Sequence, residues 1–211
     1  MDAAFRARMY DVLDLYEEPY DPKRPVLCLD EKPKQLLQEK RRAIPMKPGT
    51  PERYDYEYAR NGTANIFMAV EFKAGRRVTQ VTERRTMTDF ALFVKMLVDE
   101  YADVEVIRLV TDNLSTHKHK SFYEPFSRDE AERIMKKVEL HYTPKHASWL
   151  NAAEIEISVM EIECTRRRIG NRETLTQEVA AWTKRRNHQK KKIDWKFTKE
   201  KADKKLSKHY V

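Results

Sequence analysis

"LHYTPKHASWLNAAEIEIS" (residues 140–158) ends a strand-like apolar run at Pro144, carries Trp149, and then opens a helix at Asn151 with Glu154 three residues later. Asn151 as N-cap and Glu154 at the third helical position make a variant of the capping box, whose cap is usually Ser or Thr. On that reading Glu154 only caps its helix. Two earlier stretches give it a second reading. "VLCLD" (26–30) and "VEVIRLVTDN" (104–113) are apolar runs of buried-strand character that end on acids, Asp30 and Asp112. Ligand sites in open sheets gather at the carboxyl ends of strands.

The segments around these acids suggest the fold. Residues 1–24 read as a short N-terminal helix and a proline-containing linker, and 33–62 mostly as loop because of their prolines and polar residues. "TANIFMAVEFKAGRRVTQVTER" reads as two strands joined by a turn at "KAGR" (73–76), with Gly75 supplying the permissive backbone. A helix follows, with Thr88 as the expected N-cap and Phe90, Phe93, Val94, Leu97 and Val98 on one face. Further helices are expected at 127–137, at 152–167 and from Glu173 to Gln189. The 152–167 helix has its core stripe assigned to Ile155, Val159 and Ile162, with Met160 beside it. The element order predicts an α/β fold with a five-stranded mixed sheet flanked by helices. The core domain is expected over 25–190, with a basic tail at 191–211. No glycine-rich turn follows the first strand, which argues against a dinucleotide site.

Composition narrows the function classes. The chain has 211 residues, 40% hydrophobic and 36% charged. It has no apolar run long enough to span a membrane and no secretory leader pattern, so no membrane partner is expected. Two cysteines, Cys28 and Cys164, fit a reduced cytosolic protein and give no metal-ligand pair. Net charge is uneven: residues 166–211 hold 16 Lys+Arg against 5 Asp+Glu, while residues 1–165 hold 26 against 29. A basic last quarter on a slightly acidic body points to a polyanion partner or to a solvated helix.

Three carboxylates drawn together repel one another unless cations lie between them. Magnesium suits such a set, because it prefers oxygen ligands and needs only one or two carboxylates per ion. A third carboxylate helps to hold two ions about 3.5–4 Å apart, as used for in-line displacement at phosphorus.

"VLCLDEK", "LVTDNLSTH" and "HYTPKHASWLNAAEIE" resemble the three acidic motifs of bacterial insertion-sequence transposases of the Tc/mariner superfamily, over about Pro25 to Arg168. The resemblance implies an RNase H-like fold and a DDE triad, onto which Asp30, Asp112 and Glu154 map by position. It also implies two Mg2+ or Mn2+ ions, no small-molecule cofactor, and DNA cleavage and strand transfer at transposon ends. A homodimer and a cytoplasmic, nucleoid-associated location follow from the same analogy. The separation of 42 residues between Asp112 and Glu154 exceeds the mid-thirties spacing common in the family, and 118–137 can hold the extra residues. Only about 25 residues precede the first strand, so the chain reads as a catalytic domain without the helix-turn-helix units typical of such enzymes.

Rivals to the triad are weaker. Glu156 lies about 200° around the helix from Glu154, and Glu31 points to the other side of its strand from Asp30. His117, His119, His141 and His146 lack a zinc-finger spacing, and Ser115 beside His117 lacks a nucleophile turn. The expected DNA contacts are Lys32, Arg41, Arg42, His117, Lys145, His146, Arg166, Arg167, Arg168, Lys184, Arg185 and Arg186. Trp149 is read as packing, with base stacking as the other option. The competing functions are a non-catalytic DNA-binding relic, a nuclease of the same fold without strand transfer, and a protein-interaction module.

Overall fold

A computed structural model describes residues 3–41, 43–53 and 55–206. Five strands, β1 (Val26–Glu39), β2 (Tyr58–Glu71), β3 (Arg76–Thr82), β4 (Ile107–Thr111) and β5 (Val138–Tyr142), form one sheet in the order β3-β2-β1-β4-β5. β1, β2 and β3 pair antiparallel, while β4 joins β1 and β5 joins β4 in parallel. The expected mixed five-stranded sheet is present.

Both faces of the sheet are covered, so its strands alternate between two apolar layers. On one face Val26 and Cys28 pack with α1 (Ala3–Glu17), α4 (Ala153–Met160) and α5 (Arg172–His188), through residues such as Val12, Tyr16, Ile157, Met160, Val179 and Trp182. On the other, Leu27 and Leu29 pack with α2 (Met87–Glu100) and α3 (Arg128–Lys137), through Phe90, Phe93, Leu97 and Ile134. The alternation matters for the acids. Asp30 continues the α4-side row of Val26 and Cys28, and Glu31 continues the α2-side row of Leu27 and Leu29.

Several local expectations change. β1 does not stop at Asp30. It runs on to Glu39 as a ribbon with β2, across residues expected as loop. Pro33 lies past the β4 pairing, which ends at Cys28 opposite Val110, and a strand with one full neighbour tolerates the missing N–H. The cap of α2 is Thr86 rather than Thr88: Thr86 Oγ1 accepts from Asp89 N at 3.2 Å, and Asp89 Oδ2 accepts from Thr86 N at 2.7 Å. The turn at Gly75 is as read, with φ of 75°. It is also sealed, since a Cβ there would meet the Lys190 backbone at 2.6 Å.

The segment after α5, expected as a basic tail, packs on the body. Ile193 N donates to Phe72 O at 3.1 Å, and Trp195 meets the Tyr16 ring edge-on at 4.9 Å. Ala202 of α6 (Lys199–Leu206) is buried with Met9 and Leu13 of α1. The N-terminal helix and this C-terminal segment therefore brace the same corner of the fold. Residues 207–211 lie outside the described residues.

Candidate active site

The site is built where β1 and β4 part. Pairing between them covers only Val26–Cys28 and Arg108–Val110, so the backbones diverge just before Asp30 and Asp112. Asp30 is half-buried, and its Oδ1 accepts from Glu31 N at 2.7 Å. Its carboxyl is pushed up to about 7. Burial is the largest cause; the Glu31 N–H bond opposes it, and the charges of Glu31, Asp112 and Glu154 reinforce it. The three acids quoted from the sequence are thus electrostatic neighbours in space. Among the described residues no three His, Cys, Asp or Glu side chains lie together closely enough to hold a metal ion as they stand.

Glu154 reaches the site through α4, but not as a cap. The N-cap of α4 is Ala152, which leaves Glu154 in the first turn. Among the described residues the Glu154 carboxylate takes no hydrogen bond, and it lies at the positive end of the α4 dipole. Asn151 has a different task from the one expected. It is buried; its Nδ2 donates to Leu29 O at 2.7 Å and its Oδ1 accepts from Ala153 N at 3.1 Å. It pins the start of α4 to β1 one residue before Asp30, and so fixes the registration of Glu154 against Asp30. Tyr16 of α1 holds the flanks: its hydroxyl donates to Leu150 O at 2.9 Å and accepts from Ala152 N at 3.3 Å. His146, in the loop leading here, has φ of 63°, a sparsely populated conformation for a residue with a side chain.

Behind the site lies a group that spacing alone did not assign. His117 is buried, not a surface DNA contact. Its Nδ1 lies 2.6 Å from Asp112 Oδ1 and 3.0 Å from Thr111 Oγ1, and its Nε2 lies 2.6 Å from Glu31 Oε1. Burial alone would lower its pKa, but the bonds and charges of Asp112 and Glu31 outweigh it and raise it to about 9. A protonated imidazole donates from both nitrogens, so His117 holds Asp112 through one oxygen and neutralises Glu31 on the far face of the sheet. Glu31, rejected as a triad member, is part of this support. The available signal was period-two alternation, which places Glu31 opposite Asp30.

Helix α4 also corrects the expected core stripe. Ile155 and Ile162 are exposed, at 44% and 68%, whereas Ala153, Glu156, Ile157 and Met160 are buried. Glu156 entered the sequence reading only as a rival to Glu154, not as a core position. It is fully buried in an ion pair with Arg77 (2.9 Å), and Arg186 Nε donates to it at 2.6 Å. The helix then loosens into a π turn at Glu161–Thr165, which β1 ties down: Lys32 pairs with Glu161 at 2.9 Å and Lys34 donates to the Thr165 and Arg167 carbonyls.

The expected DNA contacts divide into two groups. Arg186 is committed to Glu156, Arg168 to Glu39 and the Asp55 carbonyl, Arg167 to Glu178 at 2.5 Å, and Arg185 to Glu163 at 3.5 Å. Arg41 pairs with Asp55 at 3.4 Å but stays exposed. Lys145, His146, Arg166 and Lys184 are exposed, and Arg42 lies outside the described residues. Trp149 is half exposed and packs edge-on against Phe197 at 5.3 Å, so its packing partner is the C-terminal segment rather than α4.

Among curated proteins no relative matches the chain. Among solved structures, the Mos1 transposase paired-end complex with left transposon end superposes with a TM-score of 0.57 at 14% identity, covering 90% of this chain and 60% of that one. A pre-cleavage Mos1 transpososome gives 0.57 at 13% identity, covering 99% and 63%. The Mos1 mariner paired end complex with Mn gives 0.54 at 13%, covering 90% and 60%. At these identities the likeness shows a shared fold, and the chain spans about 60% of the length of the Mos1 chains. The family model described as DDE superfamily endonuclease matches residues 25–176, which include all three acids and most of the sheet and helices around them, and the chain belongs to that family.

Proposed function

We propose that this chain is the catalytic domain of a Tc/mariner-type transposase, which cleaves DNA at transposon ends and joins the freed end to target DNA. What supports this is that β1, the end of β4 and the first turn of α4 bring Asp30, Asp112 and Glu154 near enough for the charges of the last two to act on the first, in a chain of the DDE endonuclease family. The likeness to Mos1 complexes that contain transposon ends supports DNA as substrate.

The donor set fits a divalent metal. All three side chains offer hard oxygen ligands, and the burial that raises Asp30, reinforced by the charges of Glu31, Asp112 and Glu154, is offset by a bound cation. The Mos1 complex with Mn supports magnesium or manganese, and two ions are part of this proposal. Bound ions would activate the attacking hydroxyl and stabilise the leaving oxygen. The chain's own residues supply position. His117 holds Asp112, Asn151 sets the reach between Asp30 and Glu154, and the dense packing of α4 against β1 keeps both fixed. Exposed Lys145, His146, Arg166 and Lys184 serve as phosphate contacts of the sequence-independent kind. A dimer on paired ends, the bacterial insertion-sequence branch and a cytoplasmic, nucleoid-associated location belong to the same reading.

Incubation of supercoiled plasmid and a labelled transposon-end duplex with Mn2+ tests it. The wild type yields nicked and joined products, and Glu154→Gln yields neither. Nicked products without joined ones would reduce the reading to a nuclease. DNA binding with no cleavage would leave a binding relic.

A further inference from the structure

A site lined by carboxylates repels the phosphodiester it must hold, so cations close to it and not already neutralised are informative. Most arginines near the site are paired with glutamates. Two cations at the Asp112 edge are not. Tyr142 ends β5 directly beside Thr111 of β4, and its hydroxyl donates to His117 O at 2.7 Å. The Lys118 ammonium sits 4.0 Å from the Tyr142 ring centroid and donates to Asn113 Oδ1. A long, mobile side chain is thereby held in one place by a ring face and an amide.

The second cation comes from the N-terminal helix. Asp11 Oδ2 lies 2.9 Å from His141 Nδ1, which fixes α1 across β5. Arg8, three residues earlier on the same helix face, is exposed, and its charge reaches both Lys118 and Tyr142. Among the described residues neither Arg8 nor Lys118 forms a salt bridge. Lys118 is lowered by burial first and by Arg8 next, with Asp112 opposing. Two like charges that act on one another are unfavourable until an anion joins them.

We propose that Arg8 and Lys118, braced by Tyr142 and Asn113, form a binding subsite for a DNA backbone phosphate next to the cleaved phosphodiester. The inference rests on the reading of DNA as substrate. It assigns the N-terminal helix a share of the substrate surface, which charge counting over the basic C-terminal quarter did not indicate.

The test is salt-dependent binding of a fluorescent mixed-sequence DNA duplex, without divalent metal, by wild type, Arg8→Gln, Lys118→Gln and the double variant. Lys136→Gln, an exposed lysine on α3, is the charge control. Each single substitution should reduce the slope of log affinity against log salt by about 1, and the double by about 2, with Lys136→Gln near wild type. Lys118→Arg should keep most of the slope. Arg8→Gln alters an exposed helix position and keeps the test intact should Lys118→Gln fold poorly. An unchanged slope in the Arg8 variant, or an equal drop in the Lys136 control, overturns the subsite while leaving the triad reading to its own cleavage assay. A wild type with no salt-dependent DNA binding overturns both.

Discussion

Glu154 and Glu156 are two residues apart on one helix and live in opposite electrostatic worlds. Glu154 faces the β1–β4 cleft and takes no hydrogen bond among the described residues. Glu156 faces the core, where Arg77 and Arg186 hold it. Burial alone would raise the Glu156 carboxyl, but the bonds and charges of the two arginines outweigh it and keep it below the ordinary glutamate range. Charge by itself therefore says little about function in this chain. Between these two glutamates, what separates the structural acid from the proposed chemical one is whether the fold surrounds it with arginines; Asp112 keeps the single imidazole partner His117. The same rule sorts the basic residues, since Arg167, Arg168, Arg185 and Arg186 have partners and Arg8 and Lys118 have none of opposite charge among the described residues.

The strongest break of this contrast exchanges the two phenotypes. Glu156→Ala leaves Arg77 buried without its counterion and should cost about 3–5 kcal/mol of stability, read by urea denaturation. Glu154→Gln should leave the denaturation midpoint near wild type while abolishing cleavage. Glu156 also predicts an acid limb. Its folded pKa is depressed, so its contribution is fully present above the unfolded value, about 4.3, and is lost as pH falls through the lower folded value. Denaturation midpoints of wild type and Glu156→Gln should converge in acid; parallel curves would contradict the assignment.

His117→Ala sharpens the comparison from the support side. It frees Asp112 and leaves Glu31 buried without its partner, and removal of such outer-shell support typically costs about 10–100-fold in metal affinity or activity. Cleavage rates against Mn2+ concentration read this directly, and a wild-type curve would show that the clamp is incidental. Asn151→Ala removes the partner of the Leu29 carbonyl and should cost about 1–3 kcal/mol, with slower cleavage because Glu154 loses its registration to Asp30. The smallest effect belongs to Arg167→Gln, whose exposed pair with Glu178 is worth about 0–1 kcal/mol.

How far the sequence carried depended on whether the deciding partner was local. The three acids were legible because each ends an apolar run or opens a helix. Gly75 was legible because the turn itself requires its conformation. The long β1 was hidden by Pro33, since only the missing neighbour on one side makes a proline acceptable there. The buried face of α4 was hidden by Glu156, whose counterions lie 79 positions before it and 30 after it. Asn151 looked like a cap because capping is local, whereas its Nδ2 answers to Leu29, 122 residues away. His117 was visible as a histidine near Asp112, but its burial depends on Glu31 and on Phe90, whose ring lies 4.6 Å from it. The C-terminal quarter read as a basic tail because charge counting does not register that Trp195 and Ala202 anchor it.

The central claim is that Asp30, Asp112 and Glu154 act as one metal-binding group. Calorimetric titration of Mn2+ into wild type, Asp30→Asn, Asp112→Asn and Glu154→Gln tests it most directly, with circular dichroism to establish that each variant is folded. The account predicts saturable binding by the wild type and its loss or marked weakening in every folded variant. Wild-type affinity in any of the three, or no binding by the wild type itself, would contradict it.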